Sequence, residues 1–190
     1  DVSFALDVSG GVNTKTIGSD LLKQHGVNYA GISNKKRPSP NLQVYDFSNS
    51  LDPSSVSVPL NHSYGFSGGK RFLIGNKRYP FSFFVTAVHC SDYSYTDETV
   101  RNTTSTGVVY QDMAGTKSSQ NTNQLVLVNA NLELAKKHRL AYNFMLIHNN
   151  DQYVGEYTGV HTDKFQSGSV YDFQGYLRRQ QTNDNLLITN

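Results

Sequence analysis

Residues 125–147, LVLVNANLELAKKHRLAYNFMLI, decide the fold, and they carry two periodicities at once. Val126, Val128, Ala130, Leu132 and Leu134 alternate with a period of two, as along a half-buried strand. Leu134, Ala135 and His138 also fall at helical spacing, with Asn129 or Asn131 as cap and a favourable Glu133 to Lys137 pair. The basic run Lys136-Lys137-His138-Arg139 resembles a helix C-terminus, so a helix over 130–139 is expected and a continuous strand is the competing reading. Beyond it, Tyr142 to Ile147 alternates again as a strand.

Elsewhere the chain points to β structure. Strands are expected at Val2 to Val8, Leu42 to Phe47, Ser54 to Leu60, Lys70 to Ile74, Arg78 to His89, Val108 to Gln111, Ser169 to Leu177 and Asn185 to Thr189. Gly75-Asn76-Lys77 joins two of them as a hairpin loop. The uncharged run YPFSFFVTAVHC (79–90) is expected in a central, buried strand. Ser19 to His25 has the cap and stop of a short helix. The segments 28–40, 91–106 and 114–123 are polar and expected as loops. The fold class is thus mainly β (α+β): a single domain, residues 1–190, of antiparallel sheet with one longer helix packed against it. A galectin-like sandwich is the alternative.

Composition limits function. Hydrophobic residues make up 37% and charged residues 17%, leaving Ser, Thr and Asn to supply much of the rest. A net charge of +2 is too small for a nucleic-acid footprint, so no nucleic-acid partner is expected. The single cysteine, Cys90, rules out an internal disulfide framework. The six histidines show no ligand spacing, so no metal and no cofactor are expected. No apolar run reaches the ~18 residues of a membrane helix, and the opening residues lack a signal-peptide pattern. We therefore expect a mature or trimmed piece without membrane insertion.

Several motifs suggest chemistry without completing it. FVTAVHC (84–90) resembles the strand-to-histidine motif of trypsin-like serine proteases, but Gly168-Ser169 lacks the GDSGG context and Cys90 has no disulfide partner. His89 then reads as the polar end of a core strand. DVSFALD (1–7) resembles the first strand of plant ribosome-inactivating proteins, whose EAxRF helix has no counterpart in LELAKKHR (132–139). Gly65 to Lys70 has the glycines and lysine of a phosphate loop, yet it precedes a strand instead of opening a helix. It is expected as a loop.

The stretch 142–173, YNFMLIHNNDQYVGEYTGVHTDKFQSGSVYDF, brings aromatic and polar groups together. Phe144 to Ile147 is expected as one strand, His148-Asn149-Asn150 as a turn, and Tyr153 as part of a returning strand that reaches Gly155-Glu156-Tyr157-Thr158. This segment is similar to one hairpin of the rotavirus spike head, the protease-released lectin domain at the tip of the viral attachment spike, and Thr162, Phe165 and Tyr171 extend the likeness. The resemblance implies a non-enzymatic domain at the virion surface that binds host cell-surface carbohydrate and is joined to the remainder of the spike. Arg178-Arg179 then offers a tryptic site near the domain's end. The expected glycan-binding residues are His148, Asn150, Tyr153, Glu156, Tyr157 and His161. Tyr153 and Tyr157 would be platforms for sugar C–H faces, and the others partners for hydroxyls. The tyrosines can equally pack against a neighbouring strand. Two other classes stay open: a secreted hydrolase or toxin fragment, and a structural capsid or adhesin module without a sugar site.

Overall fold

A computed structural model describes residues 2–25, 28, 30–32, 52–56, 60–134, 138–164 and 174–189. The described residues form β1 (Val2–Gly11), β2 (Leu22–Lys23), β3 (Ser54–Ser55), β4 (Asn61–Ile74), β5 (Tyr79–Thr103), β6 (Val109–Leu134), β7 (His138–His161) and β8 (Gln174–Thr189). Six of them make one antiparallel sheet in the order β1-β4-β5-β6-β7-β8, and β2 pairs with β3 in a separate ribbon. The three inner strands β5, β6 and β7 have 25, 26 and 24 residues. At 3.3 Å per residue each runs about 80 Å, several times the usual strand length.

The helix expected over 130–139 is absent. β6 continues to Leu134 and β7 begins at His138, with Glu133 opposite Arg139 and Leu134 opposite His138; residues 135–137 lie outside the described residues. The two-residue period prevails because Leu132 shares a face with Phe81 and Leu140 across the sheet. An i,i+4 charge pair contributes only a few tenths of a kcal/mol to a helix against that packing. Among the described residues the single helical element is a 3-10 turn at Thr14–Thr16, and the helix expected over 19–25 gives way to β2. No described helix is long and apolar enough to cross a membrane.

Three expected loops are strands. Residues 91–103 continue β5, 114–123 form the middle of β6, and Gly65 to Lys70 lies within β4. The expected turn at His148-Asn149-Asn150 is the centre of β7, so 142–161 is not a hairpin. The β4–β5 connection is as expected: Arg78 N–H donates to Gly75 C=O at 3.1 Å, and both residues have positive φ, 53° and 70°. The strand expected over 42–47 and most of the 28–40 loop lie outside the described residues.

With alternate residues on opposite faces, one face is set by the row Val8, Tyr64, His89, Gln124, His148 and Leu186, one residue from each strand. The row divides two chemistries. Toward the 75–78 turn the face is apolar and open to solvent; even the central residue Phe83 is over a third exposed, so the run 79–88 is central but not buried. Away from it the face is polar and covered by the described residues of 13–31, here called the strap. Buried under or within this layer are Ser91, Ser118, Gln120, Thr122, Asn150 and Gln152, with Leu21, Tyr93 and Val154 as the apolar contribution.

Hydrogen bonds hold the strap where apolar burial is small. Leu22 N–H donates to Ser118 Oγ at 3.1 Å, and Gln24 Nε2 donates to Tyr153 C=O at 3.0 Å. Gly31, at φ 74°, lies so close to the sheet that a Cβ would stand 2.9 Å from Thr122 Cβ and 3.1 Å from Asn150 Cβ. Only glycine combines that conformation with that approach.

Candidate functional site

β7 distributes the six expected site residues between two faces. His148, Asn150 and Glu156 project to the strap face, while Tyr153 and Tyr157 project to the opposite one. His161 ends the strand, buried, with its ring 6.4 Å from that of Tyr110.

His148 and Asn150 are interior groups. Asn150 is 1% exposed and accepts a 2.8 Å hydrogen bond from Gln152 Nε2. His148 belongs to a chain of polar contacts that crosses five strands. Asp184 Oδ1 lies 2.6 Å from His148 Nε2, and His148 Nδ1 lies 3.2 Å from Gln124 Oε1. Gln124 Nε2 faces His89 Nδ1 at 3.1 Å, His89 Nε2 faces His62 Nε2 at 3.3 Å, and His62 Nδ1 faces Leu60 C=O at 3.0 Å.

The directions of these bonds follow from Ala30, whose carbonyl accepts from Gln124 Nε2 at 3.0 Å. The amide's NH2 end must face that oxygen, so its carbonyl end faces His148. Both ring nitrogens of His148 then face acceptors. His89 accepts at Nδ1 and donates at Nε2 to His62, which in turn donates to Leu60. Burial and the neighbouring His62 push the His89 pKa below its ordinary value.

A group that resists protonation in the fold but not in the unfolded chain makes stability fall as pH drops through about 6.5. The urea midpoint should therefore be lower at pH 5.5 than at pH 7.5, and the drop should shrink in His89→Gln. A midpoint unchanged between the two pH values would contradict this assignment.

On the opposite face Tyr157 is also buried, its ring lying over Gly155. Its hydroxyl donates to Glu98 Oε2 at 2.5 Å, and burial together with that carboxylate raises its pKa. Tyr153 is half-buried: Lys117 Nζ stands 4.6 Å above its ring, and its hydroxyl donates to Gln181 Oε1 at 2.9 Å. Lys117 Nζ also lies 3.7 Å from Glu98.

Glu156 is different, because its partners are accessible. Its Oε1 accepts from Tyr176 Oη at 2.7 Å and from Arg178 Nε at 3.0 Å, and Arg178 Nη2 lies 2.9 Å away. The Tyr176 hydrogen bond, assisted by Arg178, holds the Glu156 carboxyl below its ordinary range despite partial burial. Arg178 also stands 5.9 Å from the centre of the Tyr176 ring and reaches Asp52 Oδ1 at 3.5 Å. Tyr176 is 51% exposed on β8, the edge strand.

None of the family models, curated proteins or solved structures compared with the chain matches it. The geometry is therefore the basis for a functional reading. Among the described residues no group of three or more His, Cys, Asp or Glu is placed to hold a metal ion. Ser169, the serine weighed above as a nucleophile alongside His89, lies outside the described residues. Arg178-Arg179 lies within β8, paired to Glu156 and Gly155.

Of the six expected residues Glu156 is the one in this cluster, and Tyr176 was not among them. Tyr176 and Arg178 stand two apart and so share a face, a signal available in the sequence. What was hidden was the β7–β8 register that sets Glu156 opposite Arg178.

Proposed function

We propose that this chain is a non-catalytic glycan-binding head domain of a viral attachment spike, with the sugar seated at the β7–β8 edge on Tyr176, Glu156 and Arg178. The observation that carries the site is the exposed Tyr176 ring with a carboxylate and a guanidinium fixed beside it. An aromatic face covers the C–H surface of a pyranose, and the two planar groups present acceptors and donors to its hydroxyls. Because Glu156, Tyr176 and Arg178 already hold one another, a ligand would not have to order them first. The location on a virion and the attachment to host cells rest on the likeness of 142–173 to the rotavirus spike head. Of the six residues expected from sequence, this site retains Glu156. Tyr153 and Tyr157 lie on the other face, and His148 and Asn150 are buried.

The test is a glycan array followed by saturation-transfer NMR on the whole chain. Tyr176→Ala and Glu156→Gln should each weaken binding of the selected glycan about tenfold, the equivalent of ~1.4 kcal/mol, with an unchanged circular dichroism spectrum. Binding that survives both substitutions would move the sugar away from this edge. An array without any reproducible hit would overturn the lectin reading.

A further inference from the structure

The apolar half of the strap face has no cover among the described residues. Phe4, Leu6, Val8, Phe66, Leu140 and Leu186 lie on it, between 40% and 70% exposed. With their neighbours they form an apolar surface of about 1,000 Å², well above the few hundred Å² of an ordinary monomer patch. That patch exceeds the ~800 Å² that one partner contributes to a standard stable interface.

We propose that two copies of this chain pack apolar face to apolar face across a two-fold axis, closing a two-layer β-sandwich between them. Two sheets meet in this way about 10 Å apart, with inner side chains interdigitating. The face has a place for such a side chain: a shallow apolar depression of about 350 Å³ bordered by Leu6, Tyr64, Phe66, Val126 and Leu146. Two-fold packing is self-complementary, so each copy would both fill the other's depression and receive from it.

The charge pattern favours a copy of the same surface over a charged partner. Among the described residues of this half-face Lys70, opposite Val2 and Phe83, is the only Lys, Arg, Asp or Glu. A lipid bilayer fits less well on three counts. Among the described residues the outer edges of β1 and β8 have no strand partner, and an open edge is not tolerated in hydrocarbon. Lys70 would sit in the lipid-facing band. The reverse face, which would line the aqueous side of a barrel, carries its own apolar row, Val88, Leu125, Ile147 and Leu187.

Sedimentation equilibrium of the full chain at 1–100 µM, concentrations of about the range in which standard interfaces form, decides it. The expected mass is twice the 21.2 kDa of the chain. Leu6→Lys and Phe66→Lys should each weaken the dimer at least about a hundredfold, while Ser67→Lys on the reverse face should leave it intact. Should a lysine variant misfold by circular dichroism, a nitroxide on Leu6→Cys in a Cys90→Ser background replaces it, and a dipolar distance between copies is then expected. A monomer throughout this range overturns the proposal, whether it ignores phosphatidylcholine vesicles or binds them, the latter pointing to lipid as the occupant. A dimer indifferent to Leu6→Lys and Phe66→Lys also overturns it.

Discussion

Gly115→Ala should lower the thermal midpoint by about 10 °C, through a cost of roughly 3–4 kcal/mol in a chain of this size. Gly115 sits on β6 between Glu98 of β5 and Tyr157 of β7. A Cβ there would overlap the Glu156 carbonyl oxygen and stand 2.7 Å from Tyr157 Cα. These are backbone atoms of the adjoining strand, so no rotamer change relieves the clash. The strand pair must separate locally, and the Tyr157 to Glu98 hydrogen bond is lost with it. Gly10→Ala is the matched control, because its Cβ would meet nothing closer than Asn61 C=O at 3.8 Å; its midpoint should move by no more than about 2 °C. Equal shifts in the two variants would mean that β6 and β7 do not approach as described.

That close approach was not legible in the sequence, where Ala114 to Asn123 is a soft polar run. A strand's backbone is satisfied by its neighbours whatever side chains it carries, and strand preference depends strongly on context. Residues 81–88 and 140–147 alternate strongly enough to set the register of β5, β6 and β7. The polar stretches 91–103, 114–123 and 148–158 then extend the same ladder. The cluster His148-Asn149-Asn150-Asp151 has turn composition, yet Asn150 and His148 find their partners in side chains of the polar layer instead of in a local turn. Antiparallel architecture and the 75–78 turn were legible because both rest on local pattern. Of the proposed site only Glu156 was expected from sequence, since Tyr176 and Arg178 meet it from a strand whose pairing no local pattern encodes.

The polar layer also explains how a sheet with so open an apolar half can hold its strap. Its buried groups are short and mutually bonded, Ser91 Oγ to Thr122 Oγ1 at 3.4 Å among them. Gln120 and Gln152 stand opposite each other with their carbonyl oxygens buried and without a protein partner. Apolar area is thus left for the other half of the face, and the strap is located by hydrogen-bond direction.

Gln124 is where that direction is set, so Gln124→Met should lower stability by about 3 kcal/mol, seen as a fall in the urea midpoint without a change in slope. Methionine matches the volume and keeps the packing, and what disappears is the amide. Ala30 C=O, His89 Nδ1 and His148 Nδ1 each lose a partner. An orphaned buried polar group costs about 1–3 kcal/mol, and the half-exposed Ala30 and His89 recover part of it from water. The loss at His148, which is buried, is the least recoverable. Gln124→Glu separates direction from simple loss of bonding. At neutral pH a carboxylate oxygen would face Ala30 C=O, acceptor against acceptor, while the other oxygen still accepts from His148. Residues 30–32 should then exchange their amide hydrogens faster than in the parent while His148 stays protected. Equal protection in parent and Gln124→Glu would mean that Ala30 does not orient the amide, and the directed chain from Asp184 to Leu60 would lose its anchor.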